Sequence, residues 1–477
     1  MSTEDIIYLL LLVLSIPFGH VVKLAGSPAI KRMLCFGAGV FIVLLLVGYK
    51  GMIHSLVTIL GNYILLQLVG PRHCRLVSFV YVFGYLFFFR TCSRFGFPAP
   101  PSHSNAVQLL VTLRMINLAF EYHDANERKE SKDDSWEKFR IKKDFSASLF
   151  DYFAYGYCYI GLMTGPFYTY QTFQDMLYQD GSKISTVLPA IRNLKYLSIF
   201  CVPYILLAKY YPLNYLESDE CLNHTWGVLY QLWILFPTFT WFRWRFYIGW
   251  MLAEAMCITA GLGAYPFECK ARPALGPTQY IPDDFDAEES ARQHEGDTHD
   301  FETTHNIIIF GVELAPTMKQ AMKVWNMTVQ WWMATYVYKK LPIKSNQIRM
   351  FLLLFVSAFW HGVHPGYYAT FMSVPMVVMG ETRMTNAVKP YLSEKQQYWW
   401  DWITWFCLYR SFEYLGVGFM LLKLESIWKV WTRMYFIGHI FIVLFIVLPF
   451  FIPRKKKRPE TDNSIKNDEK AEKTKTL

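Results

Sequence analysis

Long apolar stretches separated by short polar breaks run through most of this chain. A helix that crosses a bilayer needs ~20 mostly apolar residues, and residues 6–24, 33–48, 52–69, 76–89, 197–211 and 427–452 reach that length or come close to it. The first stretch follows Glu4 and Asp5 instead of a basic region and lacks a small-residue cleavage site, so it is expected to be a retained span. Segments interrupted by proline, such as the one around Pro203, are expected as broken or tilted helices buried in protein. The pattern predicts an all-α, polytopic integral membrane protein with about eleven transmembrane helices around a central buried chamber. Residues 1–453 form one membrane domain, and residues 454–477, nearly devoid of apolar side chains, are expected to be a disordered basic tail.

Two polar interruptions, residues 123–144 and 273–304, lack the periodicity needed to bury a core of their own. The second carries Asp283, Asp284, Asp286, Glu288 and Glu289, and both are expected to be solvated connectors. Neither an internal repeat nor a pair of broken inverted halves of the transporter kind is visible.

Composition agrees with lipid as the main solvent. Of 477 residues, 53% are hydrophobic and 18% aromatic, against only 18% charged, and the mean hydropathy is +0.17. The net charge of +9 lies in short loops and a tail, with no basic face interleaved with stacking aromatics, so nucleic acid is not an expected partner. Lys23, Lys31 and Arg32 follow the first span and Arg454 to Arg458 follow the last, which by the positive-inside rule places both in the cytosol, the amino terminus in the lumen, and makes the span count odd. The closing residues Lys473, Thr474, Lys475, Thr476 and Leu477 resemble the dilysine retrieval signal of endoplasmic reticulum membrane proteins. The nine Cys are scattered singly with no zinc spacing; they are expected as free apolar packers, and no metal is expected.

Candidate chemistry concentrates in two runs. The first is Trp325, Asn326, Met327, Thr328, Val329, Gln330, Trp331 and Trp332; the second runs from Ser357 through Trp360, His361, Gly362, Val363, His364, Pro365, Gly366 and Tyr367 to Tyr368. With a turn near residues 340–346 they form a helical hairpin whose arms of about 15 residues each climb ~21 to 22 Å, bringing Asn326 and His361 to one depth. Ionisable groups at that depth are costly and usually functional; a His bonded to a neighbouring carbonyl is the plainer alternative. His364, before Pro365, is a rival base or a shaper of the turn. A second constellation, Arg243, Tyr247, Trp250 and Glu254, falls on one helical stripe that must face protein or water, either lining a substrate chamber or forming a structural ion pair. Asn326 also opens a glycosylation sequon, but Asn223, His224 and Thr225 in a short polar loop make the more plausible one.

These residues closely resemble the membrane-bound O-acyltransferase family, whose Asn or Asp after an aromatic residue and distant His map onto Asn326 and His361. The run Trp360, His361, Gly362, Pro365, Gly366 and Tyr367 matches the lysophospholipid-acylating branch completely. The branch's Arg, Lys, Tyr, Tyr and Trp run is met as Arg243, Arg245, Phe246, Tyr247 and Trp250, with Arg for Lys and Phe for Tyr, a departure that bears on head-group selectivity. Further segments, at residues 56–61, 105–110, 159–167 and 260–266, narrow the resemblance to members that acylate lysophosphatidylinositol. It implies His361 and Asn326 as catalytic residues, with Arg243, Arg245, Tyr247, Trp250, Glu254, Trp360, His364 and Tyr367 at the substrates. It also implies residence in the endoplasmic reticulum, acyl-CoA as co-substrate with arachidonoyl-CoA favoured, and acyl-chain remodelling of phosphatidylinositol.

The residue types suit that chemistry without the family name. Transfer from a thioester to an alcohol needs a base near neutral pKa, supplied by imidazole, and an amide-type group for the oxyanion or the attacking hydroxyl. No Gly-x-Ser-x-Gly elbow is present, so direct transfer in a ternary complex, without a cofactor, is the expected scheme. The alternatives are the same chemistry on another lysophospholipid head group and, outside enzymes, a membrane transporter.

Overall fold

The computed structural model describes residues 3–101, 103–130, 147–279, 287–294 and 296–453. The basic tail with its paired lysines, and Asp283, Asp284 and Asp286, lie outside the described residues. The described chain is all-α as expected: its strands are one two-residue antiparallel pair, Tyr265–Pro266 with His299–Asp300. The longer helices are Thr3–Leu24, Pro28–Val69, Cys74–Thr91, Ser104–Glu130, Gly227–Thr259, Asn346–His361, Pro365–Val388 and Glu394–Leu421.

Four helices are long and apolar enough to cross a membrane among the described residues, and five if one bent pair counts as a single span. Exposed Leu14, Phe41, Leu45, Leu76, Ile199, Ile403 and Phe441 face outward on these and neighbouring helices, an apolar surface that only lipid covers cheaply. The other long helices, among them Gly227–Thr259 and Glu394–Leu421, carry charged residues turned into protein. A chain of this kind is a multi-pass membrane protein whose polar groups are answered internally.

The apolar run Pro28–Val69 reverses direction at Gly48, whose φ of 64° and ψ of 178° leave the helical region. A straight helix would hold Phe36 and Ser55 ~28 Å apart, yet both reach the side chain of Tyr157: the Phe36 ring lies 6.5 Å from its ring and the Ser55 hydroxyl 2.7 Å from its hydroxyl. Glycine adopts that backbone without the penalty a Cβ would bring. The run is therefore two helices, in agreement with the two stretches at 33–48 and 52–69.

Three expectations are corrected. The polar residues 123–130 are not a connector but the end of the helix Ser104–Glu130. There His123 meets Glu127 at 2.7 Å one turn on and Pro71 O at 2.8 Å, so local polar pairs replace apolar periodicity. The later part of the 273–304 segment is packed rather than solvated: Thr303, Thr304 and Asp297 are buried, and Asp297 pairs with Arg192. The stretch 427–452 is not one continuous helix but two, Leu424–Arg433 and Ile437–Val447, bent by 73°, because Tyr435 and Phe436 both take left-handed backbone. Beyond these three, the segment around Pro203 also departs from expectation: it is an unbroken helix, Leu197–Tyr210, with Phe200 alone buried, so the proline neither breaks it nor sits inside protein.

Two apolar clusters form the interior, and the helix Gly227–Thr259 belongs to both, giving Ile234, Trp241 and Tyr247 to one and Ala253, Met256 and Cys257 to the other. Within the second of these runs a non-helical segment, residues 157–169, almost wholly buried. Backbone of that kind is tolerated at membrane depth only if protein satisfies it, and Arg114 does so. Its Nη1 donates to the carbonyls of Tyr155, Gly156 and Cys158 at 3.0, 3.2 and 2.9 Å, and its Nη2 to Ile160 O at 2.6 Å and the Tyr168 hydroxyl at 2.9 Å. Asn117, one turn on, accepts from Tyr170 N at 2.7 Å and donates to the Tyr336 hydroxyl at 2.8 Å.

Replacing Arg114 by Met leaves several buried carbonyls without donors, each costing about 1–3 kcal/mol. We expect Arg114→Met to be lost as aggregate in detergent and Arg114→Lys, which can bond only part of the set, to unfold at a clearly lower temperature. Size-exclusion profiles and thermal melts check this; a wild-type melt for Arg114→Met would remove Arg114 from its central place.

Candidate active site

The first arm of the expected hairpin is helical from Met327 to Lys340 but not uniformly so: an α turn, Met327–Trp332, passes into a π segment, Met333–Val337, and a 3-10 turn, Tyr338–Lys340. The second arm is the helix Asn346–His361. Trp332 of one arm and Phe359 of the other pack on Phe83, with ring separations of 6.4 and 5.9 Å.

Asn326 opens the first arm from a left-handed backbone, φ 47° and ψ 50°, and its side chain does not cap the helix it precedes. Its Oδ1 is buried without a hydrogen-bond partner. A non-glycine residue in that conformation persists only where its surroundings enforce it, and here they are well defined. Met327 N donates to Asn306 O at 2.7 Å, Thr328 Oγ1 to Asn306 Oδ1 at 2.6 Å, and Phe167 N to Thr328 Oγ1 at 2.9 Å. Asn306 N in turn donates to Glu254 at 2.8 Å. The arm is thereby tied to the buried 157–169 segment on one side and to the long helix Gly227–Thr259 on the other. Trp325 completes the seat, its ring 6.2, 5.8 and 5.1 Å from Phe246, Tyr247 and Trp250.

His361 ends the second arm, half-buried, within an aromatic ring of Trp360, Tyr367, Phe371 and Phe419 at 4.8, 5.8, 5.1 and 5.3 Å. Neither of its ring nitrogens is hydrogen-bonded among the described residues, unlike the carbonyl-satisfied histidine that was the plainer expectation. Phe419 leads on to Phe242 at 6.1 Å, so His361 and Asn326 approach the same stretch of the long helix, residues 242–250, from two sides.

The spacing of the motif around His361 now has physical reasons. A Cβ on Gly362 would stand 2.3 Å from the Tyr367 ring, which lies against the imidazole, and one on Gly366 would stand 2.0 Å from Gly418 O of the neighbouring helix. Pro365 takes the first position of its helix, where no amide hydrogen is needed. His364 is exposed and supplies the carbonyl to which Tyr367 N donates at 3.2 Å, the position of a turn-shaper. Trp360 is buried and donates to Leu109 O at 3.3 Å.

All four residues of the stripe Arg243, Tyr247, Trp250 and Glu254 are buried. Glu254 is taken up by Asn306 N and by Asn193 Nδ2 at 3.3 Å. Beside it, in a loop, burial lowers the pKa of His305, but its bond to Glu302 and the field of Glu254 raise it further, to about 9, which keeps a positive charge near this carboxylate at neutral pH. Arg243 is bidentate on Glu313, at 3.1 and 3.0 Å, and Tyr409 donates to the same carboxylate at 3.0 Å. The ion-pair reading of the stripe holds for Arg243; its Nη1 alone is unpaired. Arg245 differs: it is exposed, stands over the Phe242 and Phe246 rings at 3.8 and 4.9 Å, and has no carboxylate or hydrogen-bond partner among the described residues.

Arg90, Arg114, Asn306 and Glu313 escaped the sequence reading, and Asn105 and Thr328 entered it only as members of longer runs, without a role of their own. Arg90, Arg114 and Glu313 carried a usable signal, a lone charge in an otherwise apolar run; the others had none beyond being polar.

The family described as MBOAT, membrane-bound O-acyltransferase family, matches residues 103–420. The chain is 37% identical over 477 residues to the membrane-bound acylglycerophosphatidylinositol O-acyltransferase mboat7 of Xenopus laevis, covering 99% of each. It is 37% identical over 444 residues to the Homo sapiens protein of that name, MBOAT7, covering 92% of each. To the Drosophila melanogaster acylglycerophosphatidylinositol O-acyltransferase frj it is 32% identical over 476 residues, covering 96% of this chain and 95% of that one. A family match that takes in both hairpin arms and the long helix they meet, together with these near full-length similarities, shows that the chain belongs to the membrane-bound O-acyltransferase family.

Proposed function

We propose that this chain transfers an acyl group from acyl-CoA, arachidonoyl-CoA by preference, to the free hydroxyl of lysophosphatidylinositol in the endoplasmic reticulum membrane, with His361 as general base and Asn326 as its partner. The observation that carries the reading is the pairing of an unbonded imidazole with an unpaired, buried amide oxygen, each held at the end of one hairpin arm. A buried polar atom without a partner costs stability, and a donor on the substrate other than the reacting hydroxyl would satisfy it.

The chemistry balances without a covalent enzyme intermediate. His361 takes the lysolipid hydroxyl proton as the oxygen attacks the thioester carbonyl. Asn326 donates through Nδ2 to the hydroxyl oxygen, orienting it, or to the oxyanion. Collapse breaks the carbon–sulfur bond, and the imidazolium returns the proton to the departing CoA thiolate. For the head group, the names of the relatives point to acylglycerophosphatidylinositol, and the open guanidinium of Arg245 suits an anionic phosphoinositol better than a zwitterion.

Three measurements test this reading. In initial-rate assays with saturating acyl-CoA and lysophosphatidylinositol, His361→Ala should lose ~10² to 10⁴-fold and Asn326→Ala ~10² or more, both with wild-type melts, while His364→Ala falls less. If His361→Ala keeps more than about a tenth of the rate, the base is misassigned. Next, Arg245→Gln should raise the KM for lysophosphatidylinositol about tenfold with little change for lysophosphatidylcholine, whereas Arg243→Gln should lower the melting temperature by leaving Glu313 unpaired. Equal effects of Arg245→Gln on both acceptors would remove it from the head group. Last, protease protection of terminal tags in sealed microsomes should find the amino terminus lumenal and the carboxyl terminus cytosolic, as an odd count of about eleven spans requires; both ends on one side would refute it.

A further inference from the structure

We infer that Arg90 is a positioning residue for acyl transfer, fixing the end of the helix that presents His361; the inference rests on the role of His361 proposed above. Arg90 closes the helix Cys74–Thr91, far from the hairpin in sequence. Its Nη1 donates to Phe359 O and its Nη2 to Trp360 O, each at 2.5 Å. These are the two carbonyls just before His361, and they are ones that the helix cannot satisfy itself: Gly362 N bonds Ala358 O at 3.0 Å and the chain then turns extended.

One guanidinium therefore ends the ladder that the backbone leaves open. It is itself held, since Asn105 Oδ1 accepts from both Nε and Nη2 at 3.3 Å. Around this contact the Phe359 ring stacks on Phe83 and Phe87 at 5.9 and 6.2 Å, and Trp360 is bonded to Leu109 O on the helix that carries Asn105. The peptide of Trp360 leads directly into His361, so any rotation there swings the imidazole. A positive group at a helix C-terminus is also favoured by the helix dipole. Arg90 makes no hydrogen bond to either ring nitrogen; its bonds on this helix go to the two backbone carbonyls before His361.

A displaced but intact base lowers turnover more than binding, and a shift of 1 Å costs on the order of 10²-fold. Arg90→Gln should thus lower kcat by ~10 to 10²-fold while the KM for acyl-CoA and for lysophosphatidylinositol stays within about twofold of wild type. Arg90→Lys should recover part of the rate, because an ammonium can bond one of the two carbonyls but cannot bridge both. Asn105→Ala, which loosens Arg90 without removing it, should give a smaller fall in kcat with the same unchanged KM. If Arg90→Gln does not remain monodisperse, Asn105→Ala decides alone: a fall in kcat at constant KM supports the inference and a wild-type kcat overturns it. Unchanged kcat in Arg90→Gln overturns it, and so does a raised KM at unchanged kcat, which would make Arg90 a binding residue. An inactive His361→Ala beside a fully active Arg90→Gln defeats this inference only; activity in both defeats the reading of His361 as well.

Discussion

A charged group buried without a carboxylate beside it has to be answered by dipoles, and in this protein that requirement organises the interior. Arg114 gathers four backbone carbonyls and the Tyr168 hydroxyl from a buried, irregular segment that could not otherwise exist in a lipid environment. The segment so fixed offers Phe167 N to Thr328, and Thr328 sets the start of the first hairpin arm. Order passes from a guanidinium through a loop to the residue after Met327 without a continuous secondary-structure element between them. The link lives on hydrogen bonding, and its energetic weight comes from the scarcity of water to replace any member.

The site follows a similar economy. Asn326 and His361 stand on different arms, but the helix Gly227–Thr259 receives both, through Trp325 on one side and Phe419 on the other. The charges on that helix divide the labour. Arg243 and Glu254 are committed to Glu313 and Asn306 and hold loops in place; Arg245, two residues from Arg243 and so on another face, is left open. A stripe that sequence periodicity alone marks as one surface thus carries framework groups, while the arginine with no carboxylate partner among the described residues lies off it.

Much of this was legible in the sequence. The apolar stretches located the first three long helices, Thr3–Leu24, Pro28–Val69 and Cys74–Thr91, and missed the longer helices richer in polar residues toward the carboxyl end; the two polar runs marked the arms that begin after Asn326 and end at His361. What was not legible has a common cause. Arg114 and Arg90 bind backbone carbonyls, which every residue possesses, so nothing in a partner's side chain announces the contact. Glu254 and Glu313 each needed a partner from a distant segment, and the polar residues 297–304 read as solvent-facing because their burial depends on those long-range bonds. The bend at Tyr435 and Phe436 hid for the opposite reason, since two aromatic residues in left-handed backbone look like any others in an apolar run.

The reversal at Gly48 has a bearing on how the protein is made. Two helices within 42 residues, with no polar loop between them, give an insertion machinery little to read as a stop, and only the positive φ of one glycine, followed by Tyr49 and Lys50, separates two passes from one. If that residue failed to turn, every later segment would be threaded with its polarity inverted and the two arms bearing Asn326 and His361 would open toward the opposite compartment. In the finished molecule a Cβ at Gly48 would meet nothing within 4 Å, so the demand for glycine there comes from its backbone alone; it falls on the nascent chain, at the moment when orientation is chosen.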